Sequence, residues 1–328
     1  MLLIIALVLF GVVLVSFSLG RYGVPVGQVV RILIDRVVPL AQTWTSEMET
    51  VVVNIRLPRI AMACLVGCCL SAAGASYQGV FQNPMASPDI LGASSGAAFG
   101  AALAILLGGS TRMIMLAAFA SSMITVCAVY LIAQRAPGLR VVNLILSGIM
   151  IGSLLTAGTS YIKLVADPTN QLPQITYWLM GSLSGAKLRD VAVVFVPMAL
   201  GLIPLFLMRW QINLLTLGDE EARALGVNTN LLRFLVIVCS TLGTAASVSV
   251  SGMIGWVGLV IPHLCRKLVG SNYRYLMPAS FLAGAAFLLV VDNVSRNLLA
   301  VEIPIGILTA FVGAPFFIYL IVKREKTL

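Results

Sequence analysis

A chain of 328 residues with 59% hydrophobic and only 10% charged residues, and a mean hydropathy of +1.02, falls outside the soluble range, which runs near about 45–50% apolar and about 25% charged. The formal net charge of +9 does not signal nucleic acid, because Lys and Arg stand singly between apolar runs rather than in a stripe. Six cysteines (Cys64, Cys68, Cys69, Cys127, Cys239, Cys265) form no CxxC pair and no zinc-spaced set with histidine, and read as small packing residues.

A membrane-spanning helix needs about 20 apolar residues, and ten segments present themselves, some short or interrupted: 2–19, 60–77, 90–107, 113–133, 141–164, 191–208, 231–251, 256–268, 276–297 and 303–322. The first lacks a basic leader and is longer than the apolar region of a secretion signal, so it reads as a spanning helix. No polar stretch is long enough for a soluble domain, and residues 1–328 read as one transmembrane domain. The tail (Lys323, Arg324, Lys326), the 8–9 loop (Arg266, Lys267, Arg274) and the 4–5 loop (Arg135, Arg140) then share one side, taken as cytoplasmic. Against that bias, Arg21, Arg31, Arg36, Arg56 and Arg59 fall outside, in and after a long first loop.

Small residues recur every fourth position in the second segment (Gly67, Ser71, Ala75, Gly79) and the third (Gly92, Gly96, Gly100, Ala104, Gly108), which predicts close helix packing. Ser87, Pro88 and Asp89 supply an N-cap, a first-turn proline and a first-turn acid for the third helix. Residues 166–190, with Pro168, Pro173 and the apolar stretch 175–183, read as an outer loop carrying a short surface helix. Residues 216–228 read as a short cytoplasmic helix, with Asp219, Glu220 and Glu221 at its positive end and Gly226 just past its last turn.

No P-loop, nucleophile elbow, HExxH or paired-carboxylate pattern occurs, so the chain is neither an ATPase nor a hydrolase. The single histidine, His263, reads as structural. An ion-coupled secondary transporter is the alternative, and a membrane enzyme or scaffold a more remote one. Ion coupling requires ionisable groups deep in the membrane. Here Lys163 and Glu302 lie near helix ends, and Asp292 has Arg296 one helical turn away to neutralise it.

Six stretches carry a resemblance: RLPR (56–59), GASYQGVFQNPMASPDILGASSGA (74–97), YWLMGSL (177–183), LGDEEARALGV (217–227), GLVIPHLCR (258–266) and IPIG with GAPFF (303–306, 313–317). In this order they resemble the FecCD/BtuC-like permease family, the membrane subunits of bacterial and archaeal ABC importers. The resemblance implies an all-α polytopic fold of the type II importer kind with about ten transmembrane helices in the cytoplasmic membrane. It also implies a second permease subunit, identical or not, two ABC ATPase subunits that bind ATP and Mg, and an extracytoplasmic solute-binding protein. No cofactor or metal is expected in this chain itself, and the cargo expected is an iron-siderophore or related chelate, with haem, cobalamin and oxyanions such as molybdate open.

The same resemblance assigns roles. Leu217 and Leu225 would contact the ATPase, Asp219, Glu220, Glu221 and Arg223 would form a polar rim, and Gly218 and Gly226 the sharp turns at either end. Asn83 and Met85, with the turn from Leu139 to Asn143, would form the cytoplasmic gate. Arg56, Arg59 and Arg296 would grip acidic residues of the binding protein at the outer surface.

Overall fold

A computed structural model describes residues 1–20, 22–36 and 38–324. Arg21 and Lys326 lie outside the described residues, as do the side chains of Lys323 and Arg324. The described residues contain helices and no strand. The first part of the chain comprises α1 (Leu2–Ser18), α2 (Val26–Asp35), α3 (Ser46–Thr50), α4 (Leu57–Val80), α5 (Ala93–Leu106), α6 (Thr111–Arg135) and α7 (Arg140–Val165). The second comprises α8 (Gln171–Met180), α9 (Leu188–Leu207), α10 (Arg209–Leu215), α11 (Asp219–Ala224), α12 (Thr229–Ser251), α13 (Val257–Val269), α14 (Tyr273–Asn297) and α15 (Ile305–Arg324).

Six of these runs are long and apolar enough to cross a membrane: Ser46–Val80, α6, α7, α9, α12 and α14. Three shorter apolar helices, Leu2–Ser18, Ala93–Leu106 and Ile305–Tyr319, and the 13-residue α13 occupy the remaining expected positions. Each of the ten apolar segments is therefore helical, while six meet the length and composition of a full span.

Two boundaries differ from the sequence expectation. The second segment starts far earlier: α3 runs through a π-helical turn, Val51–Arg56, into α4 as a 35-residue helix. Pro58 has no N–H and its ring crowds the preceding turn, and the wider π turn just before it relieves both problems. Arg56 and Arg59 thus lie inside a continuous helix, not in a loop before one. The third segment is broken: Pro88–Leu91 forms a single 3₁₀ turn, Gly92 adopts φ +76°, and α5 begins only at Ala93. Ser87 makes no side-chain cap there, and Asp89 instead accepts a hydrogen bond from Ser94 Oγ across the break.

The centre is built from α4, α12, α13 and α14; Gly67 and Ser71, which the four-residue spacing singled out, bring α14 onto α4, and Gly74, outside that series, brings α13 onto it. A methyl on Gly67 would overlap the carbonyl oxygen of Gly284, and one on Gly74 would overlap that of Gly258. Ser71 Oγ donates to the Ser280 carbonyl (2.7 Å), and Tyr273 Oη to the Ala75 carbonyl (2.8 Å), so the hydroxyls buried at these crossings satisfy backbone acceptors. In the same manner Gly96 and Gly100 seat α5 on α6, against Thr125 and Ser121. The connection between α7 and α8 is ordered by Asp167, whose carboxylate accepts from the Thr169 N–H (3.0 Å) and hydroxyl (2.8 Å) just before α8. These bonds, the backbone one first, hold its pKa below the ordinary carboxylate value.

Candidate functional site

A polar groove of about 580 Å³ runs between α7 and the break preceding α5. Gly148 lets α7 come against the Ile90 carbonyl, and Gly152 faces Gly92 across the same crossing. Along the groove stand Asp89, Ser95, Ser153, Thr156 and Ser160, with no Lys or Arg among its lining residues. Thr156 Oγ1 donates to the Gly152 carbonyl (2.8 Å) and Ser160 Oγ to that of Thr156 (3.0 Å). Their hydrogens are spent on their own helix, which leaves oxygen lone pairs toward the groove. An exposed row of hydroxyls on an apolar helix suits a wet path rather than hydrocarbon. The sequence reading missed this row, although polar residues at 153, 156 and 160 share one helical face (i, i+3, i+7) and were legible as such.

At the loop between α4 and α5, Asn83 Oδ1 accepts from the Met85 N–H (2.9 Å), while Met85 is 47% exposed. The companion turn has the same division of labour: Asn143 Nδ2 donates to the carbonyls of Ala136 and Pro137 (both 3.1 Å), and Leu139 is 76% exposed. In each, the asparagine shapes the turn and the apolar residue projects. Gln82, at φ +49°, donates through Nε2 to the Leu215 carbonyl (2.7 Å), tying the first of these loops to the end of α10 and hence to the segment before α11.

The segment 216–228 forms the expected helix, α11. Gly218 at φ +134° turns the chain into it, and Gly226 at φ +81° ends it: its N–H meets the Arg223 carbonyl (2.9 Å) and that of Val227 meets Ala222 (3.0 Å), the paired bonds of a Schellman ending. Leu217 and Leu225, 60% and 57% exposed, and Glu220 and Glu221 are open to a partner. Two of the residues expected on the rim are engaged inward. Asp219 accepts from Arg233 Nη2 (2.8 Å), and Arg223, although exposed, donates through Nε to Thr229 Oγ1 (3.2 Å).

The three arginines expected on the outer surface are instead recessed, each under 10% exposed. Arg56 donates to the carbonyls of Phe17 and Tyr22. Arg59 Nε binds Asp292 (2.9 Å) and its Nη1 binds Glu302 (2.8 Å). Arg296 reaches the Ser16 carbonyl (2.9 Å) and Asn293, and stands 3.8 Å from Asp292. The neutralising partner of Asp292 is therefore first Arg59, from α4, and only second Arg296, one turn away on its own helix. The exposure that a surface contact would require is missing because α1, α4 and α14 close around these groups. The guanidinium groups of Arg59 and Arg296 face the carboxylates of Asp292 and Glu302, while Arg56 turns to backbone carbonyls, and Arg59 Nη2 and Arg296 Nε have no hydrogen-bond partner among the described residues.

A glycine-packed bundle of apolar helices with a hydroxyl-lined groove, and with a short exposed helix carried outside it, defines a multi-pass membrane permease. The chain belongs to the FecCD transport family, whose model matches residues 5–323. It is similar to the molybdate import system permease MolB of Haemophilus influenzae, at 39% identity over 97% of this chain and 96% of that one. An iron chelatin transport system permease of Helicobacter pylori is 42% identical over 85% of each chain. A solved inward-facing metal-chelate type ABC transporter is 38% identical, covers 98% of both chains and superposes with a TM-score of 0.88. The chain is accordingly a permease of the ABC importer class, and the secondary-transporter alternative falls.

Proposed function

We propose that this permease carries an iron chelate or a similarly bulky metal chelate inward across the cytoplasmic membrane of a bacterium or archaeon. Relatives at similar identity bear names for molybdate and for an iron chelatin, so similarity alone does not separate an oxyanion from a chelate. The groove lining carries the choice. A path for a dianion calls for guanidinium, ammonium or converging N–H donors, whereas this groove offers hydroxyls and the carboxylate of Asp89 and no basic side chain. Such a surface suits a large ligand whose charge is already enclosed by its chelator. A second permease subunit would face the groove and complete the path.

In this reading ATP and Mg are bound by two partner ATPase subunits, and this chain of 328 residues, a single transmembrane domain of about ten helices, contributes no catalytic group. Leu217 and Leu225 seat in the ATPase, with Glu220 and Glu221 at the edge, and Met85 and Leu139 close the cytoplasmic mouth over turns shaped by Asn83 and Asn143. Arg56, Arg59 and Arg296, recessed where α1, α4 and α14 meet, act within this chain, Arg59 on Asp292 and Glu302, Arg296 on Asp292 and Arg56 on backbone carbonyls, rather than as an exposed seat for the binding protein.

The deciding experiment reconstitutes the permease with its ATPase and binding protein in proteoliposomes and identifies the ligand that co-purifies by mass spectrometry. ATP-dependent uptake of a ferric chelate, competed by other chelates and not by molybdate, is expected. Saturable molybdate uptake indifferent to chelates would sink the cargo assignment and leave the permease assignment standing.

A further inference from the structure

The coupling helix α11 is held to the helix that follows it by groups the sequence reading had turned toward the ATPase. Arg233, in the first turns of α12, is 4% exposed, and its Nη2 meets Asp219 Oδ1 at 2.8 Å. Arg223 Nε meets Thr229 Oγ1 at 3.2 Å, so the first and fifth residues of α11 are both fastened to α12. Arg233 Nε has no hydrogen-bond partner among the described residues, and Asp219, bound through Nη2, is the one carboxylate paired with this guanidinium there. A buried guanidinium with a single carboxylate partner fixes that partner's position, because any separation leaves its charge uncompensated.

What α12 touches decides what such a clasp would move. Beside Arg233, Asn230 Oδ1 accepts from Arg140 Nη1 (2.6 Å), the first residue of α7, adjacent to Leu139 and on the helix that bears the groove hydroxyls. At the far end, about 35 Å away for 23 residues of helix, the Ser251 carbonyl accepts from the Ser182 N–H (2.7 Å). There Gly252, at φ +67°, packs so closely on the Trp178 carbonyl that a methyl would overlap it. One rigid helix thus joins the coupling segment, the start of the groove helix and the outer loop.

We propose that Arg233 is a positioning residue for energy coupling: its ion pair with Asp219 makes α11 and α12 one body, so that displacement of α11 by the ATPase is delivered to α7 and to the outer loop. The proposal rests on the assignment of α11 as the ATPase-contacting helix. Its test is the ratio of substrate transported to ATP hydrolysed by the intact permease–ATPase complex with binding protein in proteoliposomes. Arg233→Gln should keep the ATPase associated, since Leu217 and Leu225 remain, while transport per ATP falls at least about fivefold, the lower range of measured couplings between sites. The exchange pair Arg233→Asp with Asp219→Arg should recover much of that ratio. If Arg233→Gln does not reach the membrane, Asp219→Asn, altered at the less buried end of the pair, is expected to show the same fall. A ratio equal to that of the unmodified complex in whichever of these variants assembles, with hydrolysis and transport reduced together, would overturn the clasp. Absence of any ATP-dependent transport in the unmodified complex would overturn the coupling assignment itself.

Discussion

Helices α4 and α7 are nearly equal in hydropathy, 1.7 for the run Ser46–Val80 and 1.9 for Arg140–Val165, yet 78% of the best window of the first is buried inside the chain and only 22% of the second. Hydropathy reports affinity for lipid and is silent on which apolar helix another helix covers. The difference lies in the residues that break the apolar run. In α4 they are glycine, alanine and serine at spacing four, which admit a neighbouring backbone. In α7 the polar residues Ser153, Thr156 and Ser160 lie on an exposed face, with Gly148 and Gly152 where the helix crosses the break before α5 and Gly158 against the Phe99 ring. Two uses of small and hydroxyl residues follow, one for packing and one for a path.

The largest effect is expected where a charge is locked in the packed region. Asp292 is fully buried on α14 and stands between Arg59 and Arg296. Asp292→Ala leaves Arg296 without a carboxylate and Arg59 with Glu302 alone, and should cost about 3–5 kcal/mol, the usual penalty for breaking a buried pair. A thermal-unfolding series in detergent reads this, and combining the change with Arg59→Leu should return part of the loss. If the double variant is as unstable as the two single losses added, the cluster is not a coupled unit.

Next comes the packing itself. Gly74→Ala places a methyl on the Gly258 carbonyl, and backbone cannot yield as a side chain can. A loss of about 3 kcal/mol, the upper part of the overpacking range, is expected in the same unfolding assay. Gly11→Ala in α1, where nothing lies within 4 Å of the added carbon, is the control and should be neutral. Equal behaviour of the two would erase the distinction between covered and uncovered helices.

Much of this organisation was legible in the sequence. The ten apolar segments are all helical, and the spacing of small residues marked the crossings of α4 and α5 correctly. The short helices expected within 166–190, around the apolar stretch 175–183, and within 216–228 form at 171–180 and 219–224. What could not be read were events decided by tertiary partners. The extension of α4 back to Ser46 needs a π turn that no local pattern announces. The inward turn of Asp219 depends on Arg233, fourteen positions away, and the burial of Arg59 depends on a helix more than two hundred residues later. Charge position along a chain shows that a residue is ionic, and only the fold shows whether its counter-ion is internal.

A smaller effect is expected at α11, the helix proposed to meet the ATPase, which lies outside the packed bundle. Leu225, 57% exposed, has apolar surface to offer, and Leu225→Asp should weaken ATPase association by about 2 kcal/mol, some thirtyfold, from the apolar burial forgone. Co-purification at graded ATPase concentration measures this, with unfolding of the isolated permease unchanged. Undiminished association would remove Leu225 from the contact.

The smallest effect separates the two uses of hydroxyl groups most directly. Thr156→Val, or Ser153→Ala, removes a groove oxygen from an exposed face of α7, whereas Ser71→Ala removes a buried one whose hydrogen serves the Ser280 carbonyl on α14. A typical hydrogen bond contributes about 0.5–1.5 kcal/mol. For the groove variants that energy should emerge as a rise in the apparent KM of uptake of about two- to tenfold, with unfolding unaltered, because the lost group meets cargo and not a neighbouring helix. For Ser71→Ala the same energy should emerge as lowered stability, with the KM unchanged. The two readouts are independent, so the pattern can fail in either direction: a groove variant that destabilises without touching uptake would make α7 a packing helix, and a Ser71 variant that alters KM would place the path through the centre of the bundle.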